Sequence, residues 1–492
     1  MNKKLFYLFL AFLCISYDFA FSATTVYVRR QNTQNKTYHT STSTIFNTIQ
    51  EAIDYVENGG TVYIEQGIYK ENILIKKSLT LIGEGVIPST GASKKSPDIR
   101  GEASSTLATI TIEGDESKPT VTIRNLIITK GLSGINVLSD ANVRIENNTI
   151  QEYQKNGITY GPTLFPGYGG VSGAINNNIL VGNGKKNVMP QNGIQISEDN
   201  QATISNNTIS NHLFIGTSSI WATGILIHHT KNVFIVNNTL LNNQAGINIK
   251  QASKTTVANN TLEGNTSTKA GVMVSDYNDK RYPAVENIIK GNTITGGLVG
   301  IWTSYTNNNT YIKNKIVDTI ENAFYSWESS NNIFSQNTIS YTTKTLHTIS
   351  AIELDGDTQG SNNTILTDNT VISKNAPIAV SRNSHNTILS HNSFTEISTT
   401  TVLTQRDKKD AGKGLVLGAT TLIFTKDISI GDEGEQVIAL QKILNDTGFL
   451  NTKITGYFGF MTQEALKKWQ KHNGIHVTGI LKEDSRNILN TQ

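Results

Sequence analysis

The short phrase Asn-Asn-Thr-Ile and its variants recur along most of this 492-residue chain, with the second Asn at 125, 148, 177, 207, 238, 260, 292, 314, 337, 369 and 392. The shortest steps are 22 or 23 residues, as from 238 to 260 and from 314 to 337. A fixed period of that length is the mark of a solenoid, in which each repeat is stabilised only by its neighbours. A second phrase, Gly-Ile-x-Val, keeps pace from 134, 157, 193, 224, 246, 271 and 300, with degenerate copies at 323, 351 and 377. The gap from Gly to Asn is usually 14 residues, as from 224 to 238 and from 300 to 314, so each coil carries at least two strands. The expected fold is mainly β.

Composition supports that reading. Only 16% of residues are charged, and short strands between Asn/Gly turns need few charges. A net charge of +3 without a basic stripe excludes a nucleic-acid partner. Residues 1–22 read as a secretory signal, a Lys-Lys start followed by an apolar run at 5–17 and small residues before Ala23. The run is too short for a membrane span, so no transmembrane anchor is expected once it is cleaved. Cys14, the only cysteine, lies inside it, so no disulfide stabilises the remainder.

Before the repeats, Ile49, Ala52, Ile53 and Val56 fall at helical spacing. Alternating segments at 59–64, 67–75 and 79–85 follow, read as three strands of one coil. A helix there would cap the open end of the solenoid. The strings Thr48-Ile-Gln-Glu-Ala-Ile, Gly67-Ile-Tyr-Lys-Glu-Asn-Ile and Leu81-Ile-Gly-Glu-Gly resemble the opening of right-handed parallel β-helix proteins. Pectin methylesterases, pectate-lyase-like enzymes and copper-enzyme maturation factors share it, the last giving a NosD-like repeat. The resemblance implies a right-handed β-helix over 23–404. It implies little about activity, because this fold carries many chemistries. The Asp-Pro-His-Asp run of alginate epimerases is absent.

The recurring Asn is read as structural: it tolerates a left-handed turn, and its amide can bond the same amide one coil away. Departures from the regular spacing carry more information, because solenoids hang function on loops of one side. Insertions fall on both sides of the Gly-Ile strand. In Gly-Ile-x-Val the second and fourth positions after Gly face outward. One expected column is Gln195, Leu226, Asn248, Met273, Trp302, Tyr325, Glu353 and Ala379. The other is Ser197, His228, Lys250, Ser275, Ser304, Trp327, Asp355 and Ser381.

Trp302, Tyr325 and Trp327 beside Glu353 and Asp355 form one expected patch, since coils stack about 4.8 Å apart. Aromatic faces cover the apolar faces of sugars, and carboxylates bond hydroxyls or move protons. Neighbouring insertions add Asp276, Tyr277, Asp279, Lys280, Arg281 and Tyr282, with Asp357 from another loop. The reading is polysaccharide binding. A wall-tethered lyase, epimerase or glycoside hydrolase using Glu353 and Asp355 is the alternative, and a structural stalk or adhesin the third. No cofactor is expected, apart from calcium if the protein is a lyase. No metal site is expected either: His228 and His229, adjacent on a strand, would point to opposite faces.

After 404 the pattern stops. Residues 405–426 read as a linker, and helical periodicity begins at 427. The strings beginning Ile430-Gly-Asp-Glu-Gly, Thr455-Gly-Tyr-Phe-Gly-Phe and Ala465-Leu-Lys-Lys-Trp-Gln resemble the three-helix peptidoglycan-binding domain of bacterial cell-wall proteins. The resemblance implies peptidoglycan as a partner, with Gln441, Tyr457, Phe458 and Gln470 at its pattern positions, where each also suits a structural role. Thr455 and Thr478 replace the family's usual Asp, and Phe460 its usual Pro. Taken together the chain reads as a secreted, cell-wall-associated monomer.

Overall fold

A computed structural model describes residues 24–30, 44–85, 96–102, 106–161, 170–186, 188–216, 220–276, 281–341, 350–358, 360–373, 378–381, 383–396, 424, 426–450, 454 and 456–489. The expected signal segment lies outside the described residues, as does almost all of the expected linker. Three parallel sheets of 15, 13 and 12 strands run along the chain, and consecutive strands pass from sheet to sheet. Each coil therefore has three strands, one more than the two phrases reveal. The Gly-Ile phrase is the third sheet, and the Asn turn joins the first sheet to the second.

The helix α1 (Ile49–Tyr55) caps the stack and buries Ile49, Ala52 and Ile53. Thr48 caps it by accepting from the Glu51 amide at 3.3 Å. The Glu71 carboxylate, from the quoted motif, accepts the Ile49 amide at 3.0 Å and the Gln50 amide at 3.1 Å. Those amides have no partner within the helix, and an anion suits the positive helix end. The segment at 67–75 is two strands, Ile68–Tyr69 and Ile73–Ile75, on different sheets. Strands Thr25–Val28 and Ile45–Phe46 complete the first sheet at its N-terminal end.

Two consecutive residues share the work assigned to one Asn. The residue before the turn's second position adopts the left-handed conformation: Asn147 at φ 57°, Asn206 at 56°, Asn237 at 57° and Asn259 at 56°. Lys313, Gln336, Asp368 and His391 do the same in later coils. The following residue is the buried ladder Asn, whose side-chain oxygen accepts both the backbone and the side-chain amide of the previous coil's Asn at 2.8–3.1 Å. This ladder runs 148, 178, 207, 238, 260, 292, 314, 337, 369, 392. The register at 177 is thus one residue off. Asn177 (φ 54°) makes the turn, and Asn178 joins the ladder. Asn125 (φ 62°) is likewise a turn residue, and the buried Leu126 amide donates to Asn148.

The glycines of the third sheet stack as closely. A Cβ on Gly246 would lie 2.4 Å from the Gly271 carbonyl oxygen and 2.6 Å from the Leu262 methyl; Gly193 and Gly224 meet the same obstacles. Between Gly134 and Gly300 the line is all glycine, and the coils at its two ends carry Thr109, Ala323 and Ala351 there.

The insertions after 178 and 207 partly lengthen the second sheet, giving strands Ile179–Lys186 and Thr208–Phe214. His212, on the latter, is wholly buried. Its Nδ1 is 2.8 Å from the Asn243 Oδ1, which only accepts, so Nδ1 carries the proton and Nε2 takes the Tyr153 hydroxyl hydrogen bond. Burial pushes its pKa down from 6.5 to about 4. The unfolded chain then binds a proton that the folded one refuses, so stability falls as pH drops from 6.5 to 4. At 1.36 kcal/mol per pH unit the loss reaches about 3 kcal/mol. Protection factors in the coils around 212, taken relative to the intrinsic exchange rate at each pH, are expected to fall over that window, and a His212→Gln protein is expected to show a shallower slope. An unchanged slope would rule out this origin.

The C-terminal unit has its own core, separate from that of the β-helix. Its helices are α2 (Glu435–Asp446), α3 (Phe460–His472) and α4 (Glu483–Leu489). Val437, Leu440, Leu444, Leu466 and Trp469 are buried as the periodicity demands. Phe424 is buried in the same core, so the unit starts before 427. No helix among the described residues is long and apolar enough to cross a membrane.

Candidate functional site

Strand alternation puts the expected columns in place. Pairing aligns Gln195, Leu226, Asn248, Met273, Trp302, Tyr325, Glu353 and Ala379 coil by coil. It aligns Ser197, His228, Lys250, Ser275, Ser304, Trp327 and Asp355 beside them. The inward partners, such as Ile301, Phe324 and Leu354, are fully buried, which commits the alternate residues to the outer face.

The rings there touch. Trp302 meets Tyr325 edge-on at 5.6 Å between centroids, and Tyr325 lies 6.3 Å from Trp327. Two further aromatics, passed over in the sequence, extend the group. Trp221 packs on Trp302 at 5.5 Å, and the Trp327 indole donates to the Tyr305 hydroxyl at 3.4 Å. Trp221 comes from the long insertion before Gly224, which was a visible signal; Tyr305 follows its strand in a left-handed turn (φ 57°), which alternation does not anticipate.

Glu353 sits one coil beyond Tyr325, and Asp355 one beyond Trp327. The Asn322 side chain donates to Glu353 at 3.0 Å, and the Gly356 amide to Asp355 at 2.8 Å. Burial, then Asp355, Glu353 and Asp357, push the Tyr325 phenol well above its usual pKa, so it stays a neutral donor. Several polar atoms of the outward column are buried without a hydrogen-bond partner: Asn136 Oδ1, Thr159 Oγ1, Asn248 Oδ1 and the Trp302 indole nitrogen. Each such atom costs about 1–3 kcal/mol unless a ligand or water satisfies it.

The expected loop residues do not all join this patch. Tyr277, Asp279 and Lys280 lie outside the described residues. Asp276 is buried, and its carboxylate accepts the Ala284 amide at 3.0 Å. Arg281 stacks over the Tyr282 ring at 4.9 Å. Tyr282 in turn stacks on His229 at 4.8 Å and bonds Asp199 at 2.9 Å. That assembly reaches back to the coils of Asp199 and His229.

The two histidines also differ from expectation. The strand ends at His228, and His229 has φ 50°. The left-handed turn cancels the alternation and brings the rings together, stacked at 3.7 Å.

In the C-terminal unit, Gln441, Phe458 and Gln470 are buried to 2% exposure or less, where a ligand does not reach them. Gln441 receives the Gly456 amide and donates to Tyr457 O and Thr462. Gln470 receives the amides of Thr478 and Gly479 and donates to Ile480 O. The two glutamines staple the turns at Gly456 and at Thr478–Gly479. Tyr457 alone of the four is exposed, at 48%.

Family comparison matches the right handed beta helix region over residues 108–281, 163–339 and 245–424. The chain belongs to the right-handed β-helix family. A second match, to a peptidoglycan binding domain, spans 433–489 and coincides with the three-helix unit. A cell surface glycoprotein of Methanothermus fervidus is 31% identical over 317 residues, 62% of this chain and 48% of the relative. The chain thus spans about half the length of that curated relative.

Among solved β-helix structures, the alginate lyase from Paenibacillus sp. str. FPU-7 is 14% identical with a TM-score of 0.35, covering 60% of this chain and 94% of its own. The Azotobacter vinelandii mannuronan C-5 epimerase AlgE6 A-module is 17% identical with a TM-score of 0.41, covering 71% and 89%. The DFA-IIIase from Arthrobacter chlorophenolicus A6 is 14% identical with a TM-score of 0.43, covering 70% and 90%. These likenesses concern the β-helix fold alone.

Proposed function

We propose that this chain is a secreted envelope protein whose β-helix binds a polysaccharide and whose C-terminal domain holds it to peptidoglycan. The observation that carries the polysaccharide half is the run of touching rings, Trp221, Trp302, Tyr325 and Trp327, ending beside Glu353 and Asp355. Rings offer flat apolar contact at little cost in side-chain freedom. The Glu353 and Asp355 carboxylates and the neutral Tyr325 phenol supply the acceptors and donor that sugar hydroxyls need. The tether half is supported by the peptidoglycan binding domain match. The name of the Methanothermus fervidus relative agrees with a surface location.

One retention experiment tests both halves. The full chain is passed over insoluble peptidoglycan and over a panel of immobilised polyuronates and neutral glycans, with and without calcium. Retention on peptidoglycan is expected to weaken in Tyr457→Ala and to persist in Trp302→Ala with Trp327→Ala. Retention on one of the other glycans is expected to do the reverse. If neither double nor single variant separates the two, the division of labour is wrong.

A further inference from the structure

We propose that Glu198, His228 and His229 form a binding site for one transition-metal ion of the zinc or copper type, apart from the aromatic face. Each of the three offers a ligand atom, and these atoms lie within 4.8 Å of one another. Two imidazoles and a carboxylate are a donor set for zinc, copper or nickel, not for calcium or magnesium, which take oxygen alone.

The backbone builds the cluster. Glu198 (φ 57°) and His229 (φ 50°) are both left-handed residues immediately following third-sheet strands on adjacent coils. The Glu198 amide donates to His228 O at 3.3 Å and the Asp199 amide to His229 O at 2.9 Å. Stacked turns therefore put a carboxylate directly beside an imidazole, and the His229 turn folds that ring back onto His228. The His229 Nδ1 stands 3.2 Å from the Glu198 Oε1. Two ligands on a tetrahedral ion at about 2.0–2.1 Å are separated by about 3.3 Å, so this pair is already at coordinating distance. The His228 ligand atom lies within 4.8 Å of both.

The cluster is supported and reachable. The Tyr282 ring stacks on the far face of His229 at 4.8 Å, and its hydroxyl is fixed by Asp199 at 2.9 Å. His229 and Glu198 side chains are 23% and 22% exposed. Three protein ligands leave a fourth position open to water or to an oxygen of a bound molecule. Lys250, one coil beyond His228 in register, is the opposing charge; burial pushes its ammonium pKa down.

The test is zinc titration of tag-free full-length protein at pH 7.5 in competition with a chromophoric chelator, with copper(II) electron paramagnetic resonance as a second readout. The chain has 9 histidines, so stoichiometry alone does not locate the ion. One equivalent is expected to bind with micromolar or better affinity. His228→Asn and His229→Asn are each expected to weaken it by about 100-fold, Glu198→Gln by about 10-fold, and Lys250→Met to tighten it. Copper is expected to show coupling to two nitrogens, reduced to one in either histidine variant. Circular dichroism of each variant controls for folding. Absence of binding below 100 micromolar zinc, or affinity unchanged in both histidine variants, overturns the site.

Discussion

Asn260→Ala is expected to destabilise the central coils by about 3–5 kcal/mol, whereas Asn259→Gly, one residue earlier, costs about 1 kcal/mol or less. The side-chain oxygen of Asn260 accepts two bonds from Asn238, at 2.8 and 3.0 Å, and its amide donates to Ile235 O and to Asn292. Alanine leaves the Asn238 donors buried without partners, and each stranded group costs its full desolvation penalty. Asn259 is exposed and supplies only a left-handed turn, which glycine adopts freely. Because each coil contacts only its neighbours, the damage is expected to stay local. Urea unfolding with hydrogen exchange by mass spectrometry reads both the size and the spread. Equal effects of the two substitutions would show that the ladder bonds contribute little.

Trp302→Ala combined with Trp327→Ala is expected to weaken polysaccharide binding by roughly 30- to 1000-fold, about 2–4 kcal/mol. Aromatic anchors in a binding face each contribute on that scale when truncated, and these two stand on adjacent coils in different columns. Removing both leaves only Trp221, Tyr305 and Tyr325 of the ring group. Both residues face outward, so the urea midpoint is expected to move far less than in Asn260→Ala. The reverse pattern, a collapsed midpoint with affinity retained by the folded fraction, would assign these rings to shielding the sheet.

The residues that were legible in advance are those ruled by a period. Two-residue alternation placed Trp302 above Tyr325 and Glu353, and helical spacing placed Ile49, Ala52 and Ile53 under the cap, because burial enforces both patterns. The failures come where one residue departs from the period. Three consecutive Asn at 176–178 hid which one turns, and the left-handed His229 reversed an expectation built on alternation. Gln441 and Gln470 look like surface polar residues, yet each is consumed by turn amides in the interior. Trp221 lay in an insertion whose path no repeat prescribes. The glycine line was visible as Gly-Ile, but its reason, a carbonyl 2.4–2.8 Å from any added Cβ, needs the neighbouring coil.

The most direct test of a glycan-binding outer face is intrinsic fluorescence. Of the 4 tryptophans, Trp221, Trp302 and Trp327 lie in or against the ring group, and Trp469 is buried in the C-terminal core. Titrating the full chain with the polysaccharide that retains it is expected to give a saturable blue shift, as the sugar excludes water from half-buried indoles. The shift is expected to survive Trp469→Phe and to vanish in the double variant. Tight retention with an unchanged spectrum would place the polysaccharide elsewhere on the molecule and contradict the account.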